Sequence, residues 1–184
     1  MFDGSYHFQK VGNQIPNGRP YLERLLTFTF RTDPVSKRNK GHIYIVEVEK
    51  YNHNIYVIKY YPKRLKNSPK RFNILTGEKK CSKIVGTCLQ IMLYILERDK
   101  FANFGFLGSN SYDPSTQKEE SKSNTKRFRV YKRAMENTFG DENFTHFNDI
   151  ESSVYIIMNN NNDNHETTVQ QASDMFEYLF PDLE

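Results

Sequence analysis

The stretch 42–61, HIYIVEVEKYNHNIYVIKYY, decides the fold class. His42–Lys50 and Ile55–Tyr61 are runs rich in Ile, Val and Tyr, the side chains that pack best on a pleated surface. Between them Tyr51-Asn52-His53-Asn54 supplies asparagines, which tolerate the positive φ that a tight turn demands. The stretch predicts a β-hairpin.

On its N-terminal side, Leu22–Thr32 alternates Leu26, Phe28 and Phe30 with Thr27 and Thr29, a strand pattern, and a short basic loop at Asp33–Gly41 joins it to the hairpin. Residues 1–20 carry Gly4, Gly12, Pro16, Gly18 and Pro20, so an irregular lead-in is expected there, followed by one domain over residues 21–184. On the C-terminal side Pro62 ends the pairing, a loop with Lys63, Arg64, Lys66, Lys70 and Arg71 crosses over, and Phe72–Leu75 reads as a short strand. Ser82–Arg98 then places apolar residues around most of a helical circumference, which predicts a buried central helix.

Phe101–Leu107 reads as the next strand, closed by Gly108. Asp113–Ser123 has no apolar residue and is expected to be a mobile loop. Asn124 is placed to cap a helix that runs to Asn137, with Phe128, Tyr131, Ala134 and Met135 on one side and Lys126, Arg127, Arg129, Lys132 and Arg133 on the other. Phe144–Phe147 and Ser153–Met158 read as strands, and residues 168–180 as a terminal helix facing the core with Val169, Ala172 and Phe176. The fold class is α/β of the mixed α+β kind: a central mixed, mostly antiparallel sheet flanked by helices.

Composition sets the outer bounds. A chain of 184 residues fits a single core, and 12 Tyr and 14 Phe supply burial that a hydrophobic content of 37% would otherwise leave short. Cys81 and Cys88 lie two helical turns apart, about 10 Å, too far for a disulfide. The five histidines show no metal-ligand spacing, so no metal is expected. Neither the N-terminus nor the Ile84–Leu96 window has the length of apolar sequence that a membrane demands, which points to a cytoplasmic protein with no membrane partner.

Four strands, a helix, a strand, a helix and a closing hairpin resemble the order of the GCN5-related N-acetyltransferases from Leu22 to Met158. Two segments carry the likeness locally: Thr76–Leu89, at the place of the family's pyrophosphate-binding turn and helix, and Asn124–Tyr131, similar to the family's Asn followed by Tyr in the helix after the fifth strand. Against the signature Arg/Gln-x-x-Gly-x-Gly/Ala, the run Lys80-Cys81-Ser82-Lys83-Ile84-Val85-Gly86 keeps a basic first position and a late glycine. Where the family places helices between its first two strands, Asp33–Gly41 has room for a loop.

The resemblance implies an acyl-CoA-dependent N-acyltransferase that moves an acetyl group from acetyl-CoA to an amine. Lys79, Lys80, Ser82, Lys83 and Gly86 would face the pyrophosphate, whose charge suits the N–H groups of a helix start, and Asn124 would contact the pantetheine arm. Tyr131 would protonate the departing thiolate, and Glu47 or Glu49, with His42 nearby, would take the amine proton. Each residue also has a plain reading: solvated lysines, an ordinary cap, a continued apolar stripe, surface carboxylates. The alternative function is a non-catalytic module on the same scaffold, engaging a protein or nucleic-acid partner through its basic surface in a regulatory, toxin-like or phage-defence setting.

Overall fold

The computed structural model describes residues 4–34, 40–74, 80–163 and 165–179. The hairpin forms as expected: β3 (Ile43–Tyr51) and β4 (Ile55–Pro62) pair antiparallel, and His53 and Asn54 take φ of 61° and 59° in the turn. β2 (Leu22–Arg31) pairs with β3 on its other side. The lead-in is not irregular throughout, because Phe8–Gln14 forms an edge strand, β1, paired with β2 and broken by a register shift between Lys10 and Gly12. Its partner side is satisfied while most of its side chains stay in solvent, so it lacks the alternation that marks a buried strand.

Residues 71–73 form turns and Ile74 makes one isolated bridge to Tyr112, so no strand forms at residues 72–74, and Leu75 lies outside the described residues. Phe72 instead packs its ring edge-on against Tyr61, with centroids 5.2 Å apart, and the Arg71 guanidinium lies over it. That aromatic contact holds the segment as a cover over the end of β4 rather than a member of the sheet.

The helix α1 (Cys81–Leu96) leads into β5 (Asn103–Leu107), which pairs with β4 in parallel. β6 (Tyr112–Asp113) and β7 (Lys118–Glu119) make a small separate hairpin inside the stretch expected to be a plain loop. The helix α2 (Lys126–Thr138) follows, capped by Thr125 and not by Asn124: the Thr125 side chain accepts the Phe128 N–H, while Asn124 sits at φ 48° before the helix. β8 (Phe144–Asp149), β9 (Val154–Asn159) and α3 (His165–Leu179) complete the order. The main sheet runs β1-β2-β3-β4-β5-β9-β8, with β4 and β5 its parallel pair.

Strand alternation divides the core into two layers. Phe28, Val46, Val48, Tyr56, Phe104 and Ile157 join α1 and α2 on one face. Tyr51, Ile55, Val57, Ile156 and Met158 join Ala172, Met175 and Phe176 of α3 on the other. Each fully buried Phe or Ile contributes about 1.5–3 kcal/mol, and both layers hold side chains at 0% exposure, Phe28 and Ile91 in the first and Ile55 and Met158 in the second. No helix among the described residues is long and apolar enough to cross a membrane.

Candidate functional site

β4 and β5 stay together for three residue pairs, Ile55 with Asn103, Tyr56 with Phe104 and Val57 with Gly105, and then part. Beyond that point Ile58–Pro62 pairs with β3 alone, and Phe106–Leu107 pairs with β9 alone. Among the described residues no strand lies between these two edges, an arrangement that a sheet avoids unless something else satisfies the edges. On the α1/α2 side of the opening lies a cavity of about 30 Å³, walled by Ile58 and Tyr60 of β4, Gly105 and Phe106 of β5, Cys88 and Met92 of α1, and Tyr131 of α2.

Tyr131 reaches this cavity because Phe128, Tyr131 and Met135 share the inward stripe of α2. Its ring stands edge-on to Phe106 at 4.8 Å and to Tyr60 at 6.3 Å. Burial pushes the Tyr131 phenol well above its ordinary range, against the pull of the Arg127 guanidinium, so it is a protonated hydroxyl at neutral pH. Burial likewise raises Tyr60, with Tyr131 adding to the effect. The Cys88 thiol is pushed up to about 12 by burial and the neighbouring Cys81, which leaves it without nucleophilic thiolate.

The other expected site residues fall in different places. Lys79 lies outside the described residues, as does most of the turn before α1. Lys80 donates through Nζ to the Asp33 carbonyl, and Lys83 pairs with the Asp33 carboxylate at 2.9 Å while lying 4.3 Å from the Tyr6 ring centroid. Both lysines thus hold the β2–β3 connection onto the start of α1. Ser82 is exposed in the first turn, and Gly86 is buried inside α1. Asn124 uses its backbone: its N–H donates to Ile150 O, and Arg129 donates to its carbonyl.

Glu47 and Glu49 share the sheet face of Tyr51, opposite the cavity. Glu47 accepts the Tyr61 hydroxyl at 2.7 Å. Glu49, 2% exposed, takes Arg19 at 2.8 Å, Tyr51 at 2.8 Å and Lys59 at 2.5 Å. Burial alone would raise its carboxyl, but Lys59 and then Arg19 and Tyr51 outweigh burial and hold it below the ordinary range. His42 lies at the far end of β3, where it closes the β2–β3 connection by donating its N–H to Thr32 Oγ1 at 2.9 Å. The structure therefore brings Tyr131 to the cavity and sets the two carboxylates on the other side of the sheet.

No protein-family model, curated protein or solved structure matches this chain. The site is described by its own geometry, and that geometry adds two residues that sequence reading did not single out for this cavity. Tyr60 is one; the alternation Tyr56, Ile58, Tyr60 marks its face, although nothing local says which helix covers it. Arg127 is the other: from the first turn of α2 it donates to the carbonyls of Phe72 and Ile74, so its guanidinium stands between α2 and the segment leading into α1. Among the described residues no three His, Cys, Asp or Glu side chains gather as a metal site would need.

Proposed function

We propose that the chain is an acyl-CoA-dependent N-acyltransferase on the scaffold of the GCN5-related N-acetyltransferases, transferring an acetyl group to an amine. The observation that carries this reading is the parting of β4 from β5 over a cavity walled by Tyr131. The pantetheine arm of a coenzyme A thioester contains two amides, and an extended chain with amides is what an unpaired strand edge accepts. The arm enters by separating the Tyr60 and Tyr131 hydroxyls, because about 30 Å³ holds no more than a water-sized group.

In this reading the amine nitrogen attacks the thioester carbonyl carbon, and the tetrahedral intermediate collapses with loss of the coenzyme A thiolate. The Tyr131 hydroxyl donates to the departing sulfur and gives that thiolate its proton, the phenolate then recovering a proton from solvent. In this reading Arg127, which donates to the Phe72 and Ile74 carbonyls, offers its remaining N–H groups to a phosphate of the coenzyme. Glu49 has its carboxylate occupied by three donors and is a poor base, whereas Glu47 accepts one hydroxyl and keeps acceptor capacity on the face the amine would use.

A second reading has one observation in its favour, the solvent face of α2, where Lys126, Arg129 and Arg133 are exposed. A non-catalytic module would track phosphates there. Phe128 is 2% exposed, so stacking on bases is not available to it.

Calorimetry with acetyl-CoA separates the two. The acyltransferase reading expects saturable binding below millimolar concentration. Tyr131→Phe should leave the affinity within about twofold and lower turnover about 10- to 100-fold. Absence of binding at millimolar acetyl-CoA overturns the reading in favour of the module.

A further inference from the structure

On the face opposite the cavity, α3 covers the middle of the sheet, and among the described residues no helix covers its β8 end. A groove of about 870 Å³ lies between β8, β9 and α3, within the roughly 300–1,000 Å³ range of small-molecule sites. Its floor is apolar. Phe147 and Ile156 are cross-strand partners there, Val154 lies beside them, and Val169 and Phe176 of α3 form the opposite wall. Its mouth is acidic: Asp149, Glu151 and Glu177 stand against the single cation Lys122 among the described lining residues. That balance is the reverse of the whole chain, which carries a net charge of +4.

We infer that this groove binds a small organic cation with an aromatic body, its ring on the half-buried Phe147 with the edge of Phe176 behind it and its ammonium among Asp149, Glu151 and Glu177. Two rings in the lining favour an aromatic over a purely aliphatic body, because edge and offset contacts between rings add to area burial. The carboxylates at the mouth favour an ammonium over a neutral or anionic head. Asp149 is kept ionised by the Ser152 hydroxyl and by backbone N–H groups, so the mouth stays negative through neutral pH. The concave volume is of a size that suits a small molecule, whereas a protein partner needs a larger, flatter patch.

The inner wall also meets the site described above. A Cβ on Gly105 would stand 3.5 Å from the Phe176 ring, and Gly105 lines the cavity from the other face. Under the acyl-transfer reading the groove therefore lies on the acceptor's side of the sheet, but binding of the cation stands without that reading.

The experiment titrates the isotopically labelled full chain with tryptamine, with its neutral analogue tryptophol and with the anion indole-3-acetate, following amide shifts by NMR. Tryptamine is expected to saturate shifts in residues 147–156 and 169–177, tryptophol to bind at least about fivefold more weakly, and indole-3-acetate to leave those amides unmoved. Glu151→Gln with Glu177→Gln should weaken tryptamine about fivefold while leaving tryptophol unchanged. Ser173→Trp, which fills the groove from a half-buried lining position on α3, should abolish both, with an unchanged far-UV spectrum as its folding control. Equal binding of all three probes, shifts elsewhere, or no shift at millimolar tryptamine overturns the inference. Acetyl-CoA titrated separately keeps the readings apart. Tryptamine binding without coenzyme binding sinks only the acyltransferase, and the converse sinks only the groove.

Discussion

Tyr60 and Tyr131 meet edge-on at 6.3 Å across the opening between β4 and β5, one carried by a strand and the other by a helix 71 positions further along. Both are partly buried against the core, and desolvation raises both phenols. Several other tyrosines are raised too, among them Tyr51, Tyr56 and Tyr155, chiefly by burial, and Tyr61 to about 12. A phenol whose folded pKa exceeds its unfolded value of 10.0 stays protonated in the fold while the unfolded chain ionises. Stability is therefore fully present below pH 10 and falls as pH rises above it. Denaturant midpoints measured from pH 8 to 12 should decline steeply past pH 10, and Tyr60→Phe with Tyr131→Phe should make the decline shallower. A flat profile to pH 12 would show that these phenols are not buried as described.

Glu49 gives the opposite limb. Its folded carboxyl titrates below the ordinary 4.5, so its stabilisation is present above that value and is lost as pH falls through the lower one. Glu49→Ala leaves Lys59, with a side chain 19% exposed, without its buried counter-charge, while Arg19, at 49%, regains water. The expected cost is about 2–4 kcal/mol by chemical denaturation at pH 7. Glu49→Gln should also flatten the acid limb of the stability profile. A cost no larger than that of an exposed carboxylate would show that the cluster is a solvated pair.

Gly108 ties the end of β5 to the cap of α2. Its carbonyl accepts the Thr125 hydroxyl at 2.6 Å, and a Cβ built on it would lie 2.6 Å from the Phe128 Cβ and 2.7 Å from Thr125 Oγ1. Gly108→Ala should cost about 1–3 kcal/mol or more, since backbone and cap must both shift. Gly140→Ala, where nothing lies within 4 Å, is the control. Equal melting temperatures for the two variants would refute the tight approach of α2 to β5.

What sequence reading caught and missed follows from where the information lies. The hairpin and α1 are legible because their periods are local and their apolar faces are broad: α1 buries nine residues from Ile84 to Ile95. β1 is missed because an edge strand needs burial at few positions; Phe8 is its main anchor, against Phe28 and Tyr94. Phe72 and Ile74 look like strand residues, yet Phe72 packs edge-on against Tyr61 and Arg127 donates to the carbonyls of both Phe72 and Ile74. The Tyr131 half of the cavity is visible as part of a helical stripe. Its Tyr60 half is not, because the parting of two parallel strands is a property of the sheet and leaves no mark in either strand. The groove beside α3 is hidden for the same reason, being the part of the sheet that a helix fails to cover.

Beyond Val57 the outer edge of β4 pairs with no other described strand, and hydrogen exchange reads that edge directly. Amides of Ile58–Tyr61 that point away from β3 should exchange about tenfold or more slowly when acetyl-CoA is saturating, with Phe106 and Leu107 of β5 protected alongside and β1 unchanged. Unaltered exchange at Ile58–Tyr61 under coenzyme concentrations that raise the melting temperature would place the coenzyme elsewhere and contradict the claim that this opening is its site.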